Sequence, residues 1–227
     1  MKKSERRARL IQWLEIIYED VEDLLLDDHI FWELQGVVQE NPRFAECSGL
    51  FLQWAASAFV QATAVGVRRH AKADEDSVSL RRFLNEVEKY PSLVSREHYM
   101  GFYAGEKAWL IKVGQEDFDR LAGAGGAHIP VAVVKDHISQ LTQAVGGIEH
   151  YVDRRVAHYD KRGVKQPTPT FSDLSEALKT LERIIILYWQ FLKNQGMGTM
   201  LLNIQFDWKE ILRFPWSPPP HDVSEAI

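Results

Sequence analysis

Cysteine is almost missing from the 227-residue chain, and no stretch of any length alternates apolar and polar residues as a strand would. Cys47 alone cannot form an intramolecular disulfide, and no Cys/His grouping has the spacing of a structural zinc site. We therefore expect no metal ion and no other cofactor. A single unpaired cysteine also fits a reducing cytoplasm as the location of the protein.

An excess of positive charge is missing as well. Lys and Arg total 27 against 32 for Asp and Glu, which gives a formal net charge of −5. This balance argues against a generally basic nucleic-acid-binding surface, so any nucleic-acid contact must be local. The first nine residues are basic, but Glu15, Glu19 and Asp20 follow where a secretory signal needs an uncharged apolar segment. We interpret this start as a solvated helix.

One long run, between Glu46 and Arg68, contains no charged residue. It is about as long as the ~20 apolar residues that suffice to cross a bilayer. Its glutamines, its Ser57 and Thr63 and its many alanines are instead typical of a helix packed on several sides. We therefore predict a buried central helix and no contact with a membrane.

Apolar residues recur at three- and four-residue steps along most of the chain, which predicts helices. Asp27 or Asp28 is a candidate cap that would divide the first forty residues into a long helix and a shorter one. Ser79 and Thr170 are further candidate N-caps. The predicted helical segments are 5–39, 46–68, 79–90, 95–121, 130–156 and 170–194.

The glycine loop 123–126 lacks the preceding strand that a phosphate-binding loop requires, so we interpret it as a linker. His137 lies on the apolar side of its segment and is predicted to be a hydrogen-bonded core histidine. Residues 207–216 are an aromatic segment expected to pack back on the helices. We predict an all-α fold, with residues 1–216 as a single helical domain and residues 217–227 as a disordered tail.

Chemistry concentrates in the ten residues 151–160. On a helix, His150, Arg154 and His158 follow one another at i, i+4 spacing, with Tyr151 and Arg155 beside them. Residues 153–165 carry five cationic side chains against two carboxylates, a local net charge of +3 that would attract a phosphate. The alternative is a solvated helix end, whose cations favour the helix dipole and pair with the neighbouring carboxylates.

The run from Asp153 to Lys161, which lies between a long helix and another apolar helix, resembles the HEPN superfamily. The likeness is particularly to its AbiU2-like branch, which is associated with abortive phage infection. Segments 77–84 and 207–216 also look like parts of that branch, so the resemblance extends from about Trp32 to Trp216. It implies a HEPN-like helical bundle with additional helices and an irregular C-terminal segment. Such proteins are commonly dimeric, and many are metal-independent endoribonucleases.

The HEPN signature is an arginine, a polar residue and, a few residues later, a histidine. By this resemblance His158 is the histidine and Asp153 the polar residue, but Val152 stands where the arginine belongs. The resemblance implies that His158 transfers a proton at the ribose 2′-hydroxyl, that Arg154 or Arg155 stabilises the phosphate, and that Asp153 orients these groups. In a dimer, the arginine could come from the second chain. The side chains expected to contact RNA are His150, Tyr159, Lys161 and Arg162.

Three interpretations remain open at this point. The first is a metal-independent endoribonuclease of a phage-defence or toxin–antitoxin system. The second is a non-catalytic HEPN-like module that binds RNA or a regulatory partner protein, for which Val152 would be the sign of lost catalysis. The third is a structural bundle in which residues 151–160 only end a helix. The first two predict a homodimer by the same resemblance.

Overall fold

The computed structural model describes residues 2–41, 44, 46, 48–153, 168–201 and 203–213. Their regular structure is helical and contains no strand beyond an isolated bridge between Ser95 and His128. A 3-10 turn, Pro91–Leu93, lies between the third and fourth helices. The helices are α1 (Lys3–Glu40), α2 (Gly49–Ala71), α3 (Leu80–Lys89), α4 (Arg96–Gly101), α5 (Ala108–Ala122), α6 (Val131–Tyr151), α7 (Phe171–Lys193) and α8 (Glu210–Arg213). The prediction of an all-α fold is confirmed.

Four long helices form the core, and side-chain pairs between them show that each runs antiparallel to its neighbours. The pairs are Asp20–His70 and Phe31–Phe59 between α1 and α2, Arg68–Asp153 and Lys72–Glu149 between α2 and α6, Lys193–Glu15 and Ser175–Asp28 between α7 and α1, and Arg183–Gln140 and Tyr188–His137 between α7 and α6. This is an up-down-up-down four-helix bundle, with α3 to α5 inserted between its second and third helices.

The predicted core histidine is confirmed. His137 is buried, and its Nδ1 lies 3.1 Å from the hydroxyl of Tyr188. Burial lowers the pKa of His137, so the ring is neutral and can share one hydrogen bond with the phenol. Phe83 of α3 meets the same phenol ring edge to face, with ring centroids 5.1 Å apart. Three helices are therefore joined around Tyr188.

The predicted division of the first forty residues is wrong, because α1 is one helix of 38 residues. No proline lies within it, and its one glycine, Gly36, is close to its end. Asp28 does not cap a second helix; its carboxylate accepts a hydrogen bond of 2.5 Å from Ser175 of α7. Trp32 donates to the same hydroxyl over 2.9 Å. Asp28, one of the two residues that suggested a break, thus contacts α7 instead.

The prediction that α2 is buried is wrong for its N-terminal half. Only 28% of its most apolar stretch of 18 residues is buried, and the buried positions begin at Phe59. The reason is the length of its neighbours: α6 ends beside Arg68, and α7 begins at Phe171, level with Phe59. By length and composition α2 could span a bilayer, a test that core helices of soluble proteins also pass.

Caps place several helix ends where the sequence predicts them. The Ser79 hydroxyl accepts from the backbone N–H of Arg82, and Thr170 and Asp173 form a reciprocal capping box at the start of α7. Asn194 ends α7 in the left-handed conformation, with φ 55°. The segment predicted at 95–121 instead divides into α4 and α5, because the turn between them places Gly105 at φ 84°.

The C-terminal segment touches the bundle through an ion pair. Lys209 bonds Glu33 of α1, whereas Phe206 is 72% exposed. Contact between residues 207–216 and the bundle is thus seen at Lys209. Residues 214–227, which include the predicted tail, lie outside the described part of the chain.

Candidate functional site

The candidate site begins where α6 ends. Tyr151 is the last α-helical residue, and Val152 and Asp153 continue the backbone as a π-helical turn, a form often found at functional positions. His150 and Tyr151 are half-buried on the last turn of α6. The other predicted site residues, Arg154, Arg155, His158, Tyr159, Lys161 and Arg162, lie outside the described residues. The structure therefore describes the end of α6, where the motif starts, and the side chains that contact it.

Val152, at the position of the signature arginine, is a core residue here. Its side chain is 2% exposed and belongs to the main hydrophobic cluster. A guanidinium in that place would lose its hydration without a partner, which proteins avoid. Val152 therefore contributes to packing, and it brings no positive charge to the motif.

Arg68 of α2 brings a guanidinium to the motif. Its Nε donates to Asp153 Oδ1 over 2.6 Å, and its Nη2 lies 2.5 Å from the same oxygen. The Arg68 side chain is 33% exposed, so this ion pair remains open to solvent on one side. Local sequence analysis missed this residue because it lies 85 positions away from Asp153. The sequence feature that could have identified Arg68 was its position at the end of the uncharged run 47–67.

Other cationic side chains at the end of α2 also face carboxylates. Lys72 bonds Glu149 of α6, and the Arg69 guanidinium donates over 2.6 Å to Asp20 of α1. Cations in the last turn of a helix also interact favourably with its dipole. The end of α2 is thus joined to α1 and to α6 by ion pairs.

His70 lies beneath these pairs. It is 1% exposed, and its Nε2 lies 2.7 Å from Asp20 Oδ2, while its Nδ1 has no hydrogen-bond partner in the described part of the chain. Burial raises the pKa of Asp20, but the hydrogen bond and charge of His70, together with Arg69, outweigh burial, so the net pKa lies below its ordinary value. His70 is buried here and ties α2 to α1 two residues beyond Arg68.

The Asp20 carboxylate should make stability dependent on pH in the acid range. A carboxyl group with a lowered pKa in the folded state binds fewer protons than in the unfolded state. It therefore stabilises the fold above its unfolded pKa of about 4, and this contribution is lost as the pH falls through the folded value. We expect Asp20→Asn to flatten the fall in the free energy of unfolding below about pH 5. Urea titrations at a series of pH values measure this slope. Asp76→Asn, at an exposed position, should leave it unchanged; equal slopes in all three proteins would contradict the assignment.

Among the described residues, no group of three or more His, Cys, Asp or Glu side chains is arranged to hold a metal ion. The arrangement observed offers a guanidinium and a carboxylate at the start of the motif. A guanidinium is well suited to a phosphate, because its planar fork can donate two hydrogen bonds to two oxygens.

Comparisons with curated proteins and with solved structures gave no match. The sequence pattern of the AbiU2 family of HEPN proteins matches residues 8–214. That range contains α1 from residue 8 onward, all of α2 to α8, the motif and the Arg68–Asp153 pair, and it begins earlier in the chain than the likeness suggested by the sequence alone. The chain therefore belongs to the AbiU2 family of HEPN proteins.

Proposed function

We propose that this chain is a metal-independent endoribonuclease of a phage-defence or toxin–antitoxin system, with its catalytic site at the end of α6. The observation that carries the proposal is the Arg68–Asp153 pair, which supplies a guanidinium at the motif of a HEPN protein whose signature arginine is replaced by Val152. Arg154 and Arg155 remain candidates for the same role, and Arg68 joins them.

In the proposed reaction, the neutral imidazole of His158 accepts the proton of a ribose 2′-hydroxyl. The 2′-oxygen attacks the adjacent phosphorus, and the bond from phosphorus to the 5′-oxygen breaks. The leaving 5′-oxygen takes up a proton from water, and His158 returns the proton that it accepted to the solvent. The products are a 2′,3′-cyclic phosphate and a free 5′-hydroxyl. Negative charge grows on the phosphate oxygens during attack, and one well-placed donor such as Arg68 lowers the barrier by about 3 kcal/mol.

Asp153 has the second role in this proposal. It holds the Arg68 guanidinium through one oxygen, Oδ1, from the residue that begins the motif. This contact sets the orientation of the fork relative to the segment that carries His158. His150, Tyr159, Lys161 and Arg162 are proposed to contact the RNA on either side of the cleaved bond.

The burial of Val152 favours one alternative, a non-catalytic module that binds RNA or a regulatory protein. In that case the cations at the end of α2 and in the motif bind phosphate or acidic side chains without turnover. The two functions share a surface and differ in whether a phosphodiester bond breaks.

Incubation of the purified chain with mixed RNA in EDTA tests the proposal. We expect cleavage without metal, with fragments that end in 2′,3′-cyclic phosphate, and no cleavage by His158→Ala prepared in the same way. RNA binding without cleavage would favour the non-catalytic module. Equal cleavage by both preparations would identify a contaminating nuclease and leave the proposal without support.

A further inference from the structure

A cleft of about 360 Å³ lies where α5, α6 and α7 meet, away from the candidate site. Val133, which lines the cleft, belongs to the first turn of α6, whereas the motif begins beyond Tyr151, about 27 Å further along the same helix. The volume is at the lower end of the range of about 300–1,000 Å³ that is usual for small-molecule sites. The cleft is therefore a candidate site for a small ligand, separate from the motif.

Much of the cleft is lined by apolar side chains. They are Leu121, Val133, Leu187 and Phe191. Phe191 is buried, and the other three are partly exposed, so part of their surface faces water in the cleft. An apolar group that entered the cleft would remove this surface from water, which favours binding.

The cleft is also lined by the carboxylate of Asp117 on α5, whose side chain is only 16% exposed. A carboxylate so far removed from water needs a charged partner or several hydrogen bonds. Its Oδ1 pairs with the guanidinium of Arg120, three residues further along the helix. The Arg120 side chain is 75% exposed, and ion pairs held in solvent contribute little to stability. An incoming cation could therefore displace Arg120 at small cost.

The hydrogen-bond network around Asp117 is one donor short. The hydroxyl of Tyr103 donates its single proton to Asn194 Oδ1 over 3.1 Å. The hydroxyl of Tyr99 lies 3.1 Å from that of Tyr103 and 3.4 Å from Asp117 Oδ2, so its own single proton belongs to the shorter contact. A separation of 3.4 Å is also longer than the usual range of about 2.5–3.0 Å for such bonds. Within the part of the chain that the structure describes, Asp117 Oδ2 is thus left without a donor at ordinary distance.

We propose that this cleft binds a small organic amine with an apolar body, whose ammonium group pairs with Asp117 while the apolar part packs on Leu187 and Phe191. The ammonium supplies the missing N–H donor to Oδ2 and takes over the positive charge of Arg120. A neutral alcohol of the same shape would supply a donor but no charge. A ligand carboxylate would bring a second negative charge beside Asp117, which is unfavourable.

Three probes of similar shape test the chemistry of the cleft: 2-phenylethylamine, 2-phenylethanol and phenylacetate. Binding to the full chain at neutral pH is measured by NMR titration. We expect the amine to bind with a dissociation constant on the order of 1 mM, a reasonable value for so small a ligand. The alcohol should bind about tenfold more weakly, because it lacks the charge, and phenylacetate should not bind measurably. No binding of the amine, or equal affinity for all three probes, would overturn the proposal.

Two substitutions with opposite expected effects test the role of Asp117. Asp117→Asn should weaken amine binding by about tenfold to a hundredfold, the usual effect of losing a charged hydrogen-bond partner, and should hardly change binding of the alcohol. Arg120→Ala should tighten amine binding by roughly threefold, because it removes the competing cation. The matched control is Glu116→Gln, the same loss of one negative charge at the exposed neighbouring position, which should change neither affinity.

Thermal melting shows whether each variant is folded. Unchanged amine binding by a folded Asp117→Asn chain would overturn the proposal. If Asp117→Asn does not fold, Arg120→Ala decides the question, because unchanged or weaker amine binding in that variant would mean that the amine does not take the place of the guanidinium.

Discussion

Arg68→Ala is expected to slow metal-free RNA cleavage by about 10²–10³-fold, the usual effect of removing one donor that stabilises charge in a transition state. The fold should tolerate the change. The Arg68–Asp153 pair is open to solvent on one side, and such pairs contribute about 0–1 kcal/mol to stability. Single-turnover cleavage rates in EDTA, measured beside thermal melting curves, separate the two effects.

Arg69→Ala is the matched control for this prediction. Arg69 is the next residue on the same turn and also pairs with a carboxylate, but its partner is Asp20 on α1. We expect its loss to leave the cleavage rate nearly unchanged. Arg68→Lys should recover part of the activity, because it keeps the charge but not the planar fork. If Arg68→Ala cleaved RNA at the wild-type rate, Arg154 or Arg155 would have to supply the cation.

Phe83→Ala is expected to lower the free energy of unfolding by about 3–5 kcal/mol, the range for removing a buried aromatic ring. Phe83 is fully buried and meets the ring of Tyr188, which in turn bonds His137. The substitution therefore leaves a cavity where α3, α6 and α7 meet. For a chain of this size the loss corresponds to a fall of about 6–20 °C in Tm. Urea unfolding and thermal melting measure both quantities.

Phe206→Ala makes the same chemical change at an exposed position. Its effect should stay within about 0.5 kcal/mol, as for most surface substitutions. Similar losses in the two variants would mean that the packing around Tyr188 does not dominate the stability of the bundle.

Helix ends were predictable from the sequence because the interactions that set them are local. Ser79 and Thr170 bond backbone groups three residues away, and Asn194 ends its helix through its own backbone conformation. The continuity of α1 was not predictable in this way. Asp27 and Asp28 look like caps until Ser175, 147 residues later in the chain, is placed beside Asp28.

The same distinction between local and long-range contacts applies to the candidate site. The family resemblance points to Asp153 and His158, because the motif that carries it is contiguous in the sequence. The cation that meets Asp153 comes from another helix, and a spacing rule carries no information about such a pair. The exposure of α2 was not predicted for a related reason. An uncharged run shows which residues of a helix could be buried, whereas the lengths of α6 and α7 determine how many of those residues are covered.

Because α1 is one unbroken helix, it sets the relative positions of the elements that contact it along its length. Along one rigid rod of about 57 Å, Arg7 bonds the carbonyl of Leu93, Asp20 bonds His70, Asp28 bonds Ser175 and Glu33 bonds Lys209. Each residue advances the helix by about 100° of rotation. An insertion or deletion of one residue between Asp20 and Asp28 would turn every later contact about a quarter-turn out of phase with the earlier ones. A change in the length of α1 would therefore break contacts with α2, with α7 or with the C-terminal segment.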